Sequence, residues 1–139
     1  MKKVYSYYSL DIFHLGHLIM IKKCREVAGE NGELVVGILT DGAIMEKKPK
    51  PIISFEERFQ IAKSIKYIDK VIPQTTYSPL QNVKKINPDI LMESESHEKR
   101  EIENMRNLMS NLGGEIIIVP YFMEQSSTNI KNLIKNSKE

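Results

Sequence analysis

The chain has 139 residues, of which 41% are hydrophobic and 27% are charged. Twenty Lys and Arg residues stand against 18 Asp and Glu, so the formal net charge is +2, and the two signs are interspersed. This composition is typical of a single folded domain over residues 1–139, and it excludes a disordered chain. Neither nucleic acid nor a membrane is expected as a partner, because no charged patch or apolar run of ~20 residues occurs.

Five short runs rich in Val, Ile and Tyr predict strands, and the longer segments between them have helical spacing. In chain order, the predicted strands are Lys3–Tyr8, Glu33–Leu39, Lys70–Pro73, Asp89–Met92 and Glu115–Val119. The predicted helices begin near Gly16 and then lie near Ser54–Ile65, Pro79–Ile86, Glu98–Leu112 and Ser127–Lys135. Ser54 and Glu57 have the spacing of a helix capping box, and Gly113-Gly114 is typical of a helix end.

The alternation of strand and helix over one domain predicts an α/β fold: a Rossmann-like parallel five-stranded sheet with helices on both faces. Ligands bind such sheets at the carboxyl ends of the strands, where the strand order reverses. We therefore expect the chemistry in the loops after the first, second, fourth and fifth strands. The single cysteine, Cys24, forms no internal disulfide, and the chain is expected to be cytoplasmic.

The loop after the first strand carries the sequence His14-Leu15-Gly16-His17 at the start of a helix. Two imidazoles beside open backbone N–H groups suit phosphate oxygens, and Gly16 lets a ligand approach the backbone closely. A pair of histidines that only caps or packs the helix is the alternative. Zinc is disfavoured because the third histidine, His97, is far along the chain, so no protein metal ligand is expected.

These four residues resemble the HxGH signature of the nucleotidyltransferases that include glycerol-3-phosphate and choline-phosphate cytidylyltransferases. Further matches follow in the order of that family. Ser9 and Asp11 precede the signature, Lys48 stands ten residues before Arg58, and residues 126–131 (SSTNIK) resemble the second signature near the end of the chain. The resemblance implies a nucleotidyltransferase fold and the transfer of a nucleotidyl group with release of pyrophosphate.

The resemblance also implies roles for individual residues. His14 and His17 would donate hydrogen bonds to the phosphates, and Lys48 would reach both the α-phosphate and the acceptor, which makes these three the expected catalytic residues. The residues expected to bind the nucleotide are Ser9, Asp11, Gly16, Arg58, Glu95, Ser126, Ser127, Thr128 and Lys131. Without the resemblance, Lys48 is an ordinary solvated loop residue, Ser126-Ser127-Thr128 is a helix cap, and Arg58 forms a surface ion pair with Glu56 or Glu57.

The substrates are also expected from the resemblance. Pro120-Tyr121 is similar to the branch acting on aminoethyl- or hydroxyethylphosphonate, so we expect CTP and a small phosphonate or phosphate acceptor, such as a phosphomonoester or a phosphorylated amino-acid amide. Mg²⁺ is expected with the triphosphate, held by phosphate and water. The residues expected to contact the acceptor are Tyr7, Tyr8, His97 and Tyr121. His97 would contact the base or the acceptor, or it would cap the fourth helix.

Two alternatives remain open from the sequence. The first is an ATP-dependent adenylyltransferase of the same fold. The second is a non-catalytic nucleotide-binding or flavodoxin-like module, although flavodoxins carry a hydroxyl-rich phosphate loop where this chain has His-x-Gly-His. A homodimer is implied by the resemblance alone.

Overall fold

A parallel sheet organises residues 2–120 and 127–137, the parts of the chain that the computed structural model describes. Its strands are β1 (Lys3–Tyr8), β2 (Glu33–Leu39), β3 (Lys70–Gln74), β4 (Ile90–Ser94) and β5 (Glu115–Val119). The helices are α1 (Leu15–Ala28), α2 (Asp41–Met45), α3 (Phe55–Lys63), α4 (Leu80–Ile86), α5 (Lys99–Asn111) and α6 (Ser127–Lys135). The five strands lie in the order β3-β2-β1-β4-β5, and all neighbours pair in parallel. The predicted fold class is confirmed.

The strand order reverses at β1. From β1 the chain adds β2 and β3 on one side, and it then returns to add β4 and β5 on the other. The loops that follow β1 and β4 therefore leave the sheet side by side, and a crevice opens at the carboxyl ends of these two strands. This position is central in the sheet. Side chains from the loop after β1 and from the loop between β4 and α5 meet there.

Side chains on β1 alternate between two faces of the sheet, since successive residues of a strand point in opposite directions. On one face, Val4 and Tyr8 pack with residues of α1 and α3, including Ile21 and Ala62. We call this the α1 face. On the other face, which we call the α5 face, Tyr5 and Tyr7 pack with residues of α4 and α5, namely Val83, Met105 and Met109. Helices thus cover both faces, as predicted.

Several elements differ from their predicted bounds by one or two residues, and the difference at β4 affects the cavity. Strand β4 continues two residues beyond Met92, so Glu93 lies within the strand, paired in register with Ile118, and not in the loop. A carboxylate is normally unfavourable inside a buried strand because its charge loses contact with water, but the Glu93 carboxylate has hydrogen-bond partners inside the fold. Helix α2 was not predicted, because five residues are too few to show helical periodicity.

Two predicted signals at helix ends are present in the structure. The Ser54 hydroxyl accepts a hydrogen bond from the Glu57 backbone N–H, which is one half of the predicted capping box. Gly113 follows α5 with φ +80°, a conformation that glycine adopts without strain. No helix among the described residues is long and apolar enough to cross a membrane.

Candidate active site

A cavity of about 680 Å³ lies over the carboxyl ends of β1 and β4, at the point where the strand order reverses. Most of the predicted site residues line it: Tyr7, Tyr8, Ser9, Asp11, His14, Gly16, His17, Lys48, His97, Ser127, Thr128 and Lys131. The cavity wall also contains residues that the sequence did not single out: Tyr77, Glu93, Lys50 and Asn132. Ser126 and Tyr121 lie outside the described residues. Arg58 and Glu95 are not among the described lining residues.

The two signature histidines cap α1 reciprocally. His14 is the N-cap residue, and its Nδ1 accepts a hydrogen bond from the Gly16 backbone N–H at 3.0 Å. His17 reaches back, and its Nδ1 accepts from the His14 backbone N–H at 3.2 Å. Because Nδ1 of each ring accepts a hydrogen bond, the single proton of each neutral ring must lie on Nε2. The cap therefore fixes both rings as Nε2–H donors, so capping and function are not exclusive readings of this pair.

Both rings are uncharged near neutral pH. Burial, followed by repulsion from His14, lowers the pKa of His17 to about 3, against a smaller opposing effect of Asp11. Burial also lowers the pKa of His14. The ring centroids are 3.9 Å apart, a distance at which two imidazolium charges would repel strongly. The pair consequently offers two neutral N–H donors rather than two cations.

Asp11 ties three segments together beneath the cavity. Its carboxylate, 5% exposed, accepts hydrogen bonds from the backbone N–H groups of Ile52 and Ile53 and from Lys131 Nζ at 2.7 Å. The Ser127 hydroxyl, on the first turn of α6, donates to the Asp11 backbone carbonyl. Burial raises the pKa of Asp11, but these hydrogen bonds outweigh it and the net pKa is lowered. Asp11 therefore acts as an ionised anchor for α6, and the nucleotide contact expected of it stays a prediction.

The backbone around Asp11 is strained. Leu10 and Ile12 have φ values of 57° and 51°, in the left-handed region that non-glycine residues rarely adopt and that a β-branched residue tolerates least. Such conformations cost roughly 1–3 kcal/mol each and persist where the surrounding structure holds them. Here they turn the Asp11 side chain inward between α6 and residues 52–53. The strain thus supports the geometry of the cavity floor.

Arg58 has a different position from the one predicted. Its guanidinium is fully buried and donates four hydrogen bonds, to the carbonyl oxygens of Ser9, Leu39 and Ile53 and to the carboxylate of Asp41. These bonds join the carboxyl ends of β1 and β2 to the segment before α3. The expected direct nucleotide contact and the alternative surface ion pair are both corrected. Arg58 is a positioning residue behind the cavity.

A second polar cluster lies on the α5 face. The Tyr7 hydroxyl donates to Oε1 of Glu93, and His97 Nδ1 lies 3.0 Å from the Tyr7 oxygen and 3.1 Å from the same Oε1. Glu93 is 2% exposed. Burial, followed by the charge of Glu93, raises the pKa of Tyr7 far above its usual range, so its hydroxyl stays protonated. We call Tyr7, Glu93 and His97 the α5-face cluster.

Three predictions concern residues in or beside this cluster. His97 lines the cavity and does not cap α5, whose N-cap is Glu98. Glu93 lines the cavity, whereas Glu95, two positions further on, is exposed and is not among the described lining residues, so the nucleotide contact expected of Glu95 stays a prediction. Tyr8 directs its hydroxyl into the core, 2.6 Å from Ser6 Oγ and 3.3 Å from Cys24 Sγ, so of these two tyrosines it is Tyr7 whose hydroxyl belongs to the α5-face cluster.

The lysines after α2 lie along the rim. Lys47 is anchored by an ion pair with Glu101 at 2.7 Å, and its Nζ lies 5.3 Å from the centroid of the Tyr77 ring. Lys48 and Lys50 are exposed and line the cavity. Within residues 2–120 and 127–137, no three His, Cys, Asp or Glu side chains are grouped so that they could hold a metal ion. The cationic side chains among the described lining residues are Lys48, Lys50 and Lys131.

The five-stranded parallel sheet, with this cavity at its switch point and the HxGH residues at the start of α1, has the Rossmann-like nucleotidyltransferase fold. The chain belongs to the cytidylyltransferase-like family, whose model matches residues 9–133. It is 32% identical over 126 residues to a FAD synthase of Korarchaeum cryptofilum, which covers 88% of this chain and 84% of that protein. A FAD synthase of Methanothermus fervidus is 26% identical over 94% of this chain and 91% of that protein.

Two further likenesses extend this result. The bifunctional protein HldE of Helicobacter hepaticus is 26% identical over 99% of this chain, which spans 27% of that longer protein. The crystal structure of a lipopolysaccharide core biosynthesis protein from Thermoplasma volcanium superposes with a TM-score of 0.73 and 26% identity, covering 87% of this chain and 96% of that one. These relatives support membership of the HxGH superfamily but not the phosphonate branch that the sequence suggested.

Proposed function

We propose that the protein is an adenylyltransferase that transfers AMP from ATP to the phosphate of a phosphate-bearing acceptor and releases pyrophosphate. The observation that carries this proposal is the pair of oriented, neutral histidines at the N-terminus of α1. The relatives named FAD synthase favour ATP over the expected CTP. FAD is FMN joined to AMP through a pyrophosphate link, so its formation requires transfer of AMP to a phosphate.

The reaction depends on the positioning of the two substrates more than on proton transfer. An oxygen of the acceptor phosphate attacks the α-phosphorus in line, and the bond from this phosphorus to the oxygen bridging to the β-phosphate breaks, with the electron pair leaving on pyrophosphate. The attacking phosphate is already ionised near neutral pH, since its second pKa is about 6, so no general base is required. His14 and His17 would donate their Nε2–H groups to the oxygens on which charge develops, without reorientation during the reaction.

The triphosphate would lie between α1 and α6. The first turn of α6 brings Ser127 and Thr128 to the cavity, and its N-terminus favours anionic oxygens. Lys131 would keep its contact with Asp11 and use its remaining protons on phosphate, since an ammonium has three donors. Lys48 and Lys50 would approach from the rim. Because Asp11 is already committed, Mg²⁺ would be held by phosphate oxygens and water and would neutralise their charge there.

The test is a measurement of pyrophosphate release with ATP and with CTP, each paired with FMN, glucose 1-phosphate, glycerol 3-phosphate and 2-aminoethylphosphonate. We expect turnover with ATP to exceed turnover with CTP by at least about tenfold for the preferred acceptor, a difference of roughly 1.4 kcal/mol in transition-state binding. Preference for CTP would contradict the nucleotide assignment. Binding of ATP without turnover on any acceptor would favour a non-catalytic nucleotide-binding module.

A further inference from the structure

We propose that residues 46–53 form a strap along the rim of the cavity, and that the ion pair between Lys47 and Glu101 sets its register. We call this ion pair the clasp. It directs Lys48 toward the phosphates, so Lys47 and Glu101 are positioning residues that act through Lys48. The inference rests on the proposed function, because it explains how that reaction obtains a cation in a fixed position.

The clasp joins elements that lie on opposite sides of β1. Lys47 follows α2 in the connection after β2, whereas Glu101 lies on the first turn of α5, which follows β4. In the sheet, β2 and β4 are the two neighbours of β1. The bond of 2.7 Å from Lys47 Nζ to Glu101 Oε1 therefore connects the two sides of the crevice where the strand order reverses. The next residues of the strap, Lys48, Pro49 and Lys50, line the cavity.

The first end of the strap is tied to two other elements. Glu46 Oε2 accepts a hydrogen bond of 3.1 Å from the backbone N–H of Tyr77, in the connection between β3 and α4. Lys47 Nζ lies 5.3 Å from the centroid of the Tyr77 ring, within range of a cation–π interaction, while it also pairs with Glu101. An exposed ion pair alone adds little order, because two long side chains must be held in one geometry, but this ammonium has partners on two elements.

The second end of the strap is fixed by buried groups. The backbone N–H groups of Ile52 and Ile53 donate to the Asp11 carboxylate at 3.0 and 2.9 Å. The Ile53 carbonyl accepts from Arg58 Nε at 2.9 Å. Both partners, Asp11 and Arg58, are buried. This end cannot shift without leaving buried polar groups unsatisfied, so the freedom of the strap lies at its first end.

The clasp decides which of two adjacent lysines faces the phosphates. The backbone N–H groups of Lys47 and Lys48 both donate to the Ile44 carbonyl at the end of α2, so α2 places both residues near the rim. Lys47 is committed to Glu101 and Tyr77, whereas Lys48 lines the cavity. Without Glu101, a triphosphate would attract both ammonium groups, and the strap would lose its single register.

Between its two ends the strap is stiff. Its sequence there is Lys48-Pro49-Lys50-Pro51, and each proline fixes its own φ and drives the residue before it toward an extended conformation. A change of register at Lys47 is therefore transmitted to Lys48 and is not absorbed by the chain. Since a misplacement of about 1 Å can cost ~10²-fold in rate, an exposed contact of small energy can control turnover.

The experiment measures pyrophosphate release from ATP with the preferred acceptor in Glu101→Gln. Glu103→Gln is the matched control, because Glu103 also lies on α5 and the substitution removes the same charge from an exposed ion pair, here with Arg106. We expect kcat to fall about fivefold or more in Glu101→Gln with the KM for ATP changed by less than about twofold, and neither value to change in Glu103→Gln. Lys47→Arg, which keeps a cation beside Glu101, should stay within about twofold of the wild type.

A double variant separates positioning from stability. If the clasp acts through Lys48, Glu101→Gln should cost less than about twofold in kcat when it is added to Lys48→Ala. Circular dichroism would confirm that each variant is folded. The same loss in both backgrounds, or an unchanged kcat in Glu101→Gln alone, would overturn the inference.

Hydrogen exchange supplies a readout that needs no turnover. Measured by mass spectrometry over residues 46–51 without substrates, exchange should be about twofold to fivefold faster in Glu101→Gln than in the wild type, and unchanged in Glu103→Gln. Equal exchange in Glu101→Gln and the wild type would also overturn the inference. Faster exchange in Glu101→Gln, together with a wild type that releases no pyrophosphate from ATP, would leave the clasp in place and overturn the proposed function alone.

Discussion

Arg58→Lys tests whether the buried guanidinium holds the cavity together. Arg58 donates four hydrogen bonds at 2.7–2.9 Å to acceptors on three segments of the chain. Lysine keeps the charge but presents its protons from one shorter point, so we expect at least two of these acceptors to lose their donor. At about 1–3 kcal/mol for each buried group left unsatisfied, the free energy of unfolding should fall by roughly 2–6 kcal/mol.

The assay is urea-induced unfolding followed by far-ultraviolet circular dichroism. Arg106→Lys is the matched control, because the same substitution is made on the exposed surface of α5, where Arg106 forms an i,i+3 pair with Glu103. We expect it to change stability by less than about 0.5 kcal/mol. A loss below about 1 kcal/mol in Arg58→Lys would refute the positioning role, since a large loss is the expected result of breaking a buried charge network.

Two further predictions concern stability. The pKa of His17 is about 3 in the folded chain and about 6.5 in the unfolded chain, so the stability that the neutral ring contributes is intact above pH 6.5 and is lost as the pH falls toward 3. In urea unfolding at about pH 4.5, acid should therefore lower the free energy of unfolding by roughly 2–3 kcal/mol less in His17→Gln than in the wild type. An equal acid sensitivity in both proteins would contradict the depressed pKa. In Gly37→Ala the new methyl group would strike the Tyr5 hydroxyl and should cost about 1–3 kcal/mol in the same assay, whereas Gly42→Ala, with nothing within 4 Å, should not be destabilising. Equal changes in the free energy of unfolding for the two substitutions would contradict this prediction and show that the Tyr5 side chain moves aside without cost.

Local signals in the sequence were sufficient for the architecture. Short runs rich in Val, Ile and Tyr predicted all five strands, and their alternation with helices predicted the parallel sheet and hence the edge at which ligands bind such sheets. The HxGH signature led to a loop that lines the cavity for the same reason, since its residues are neighbours in the chain. What the sequence left out was the mutual capping of His14 and His17, which depends on ring orientation and determines their tautomers.

Long-range contacts account for the remaining differences. Glu93 ends an apolar run, and only its contacts with Tyr7, 86 positions earlier, and with His97 explain its burial in the strand. Arg58 stands beside two glutamates in the sequence, yet its partners are backbone carbonyls from separate loops. Neither arrangement produces periodicity or a local motif. The choice between ATP and CTP likewise has no local signature here, and the named relatives were needed to favour ATP.

The most direct test of the account is the turnover of His17→Ala with ATP and the preferred acceptor. If the fixed Nε2–H group stabilises charge in the transition state, kcat should fall by about 10²–10³-fold while the KM for ATP changes little. Lys22→Ala, an exposed site on the same helix, is the control and should keep full activity. A folded His17→Ala protein that releases pyrophosphate at the wild-type rate would contradict the role of the histidine pair.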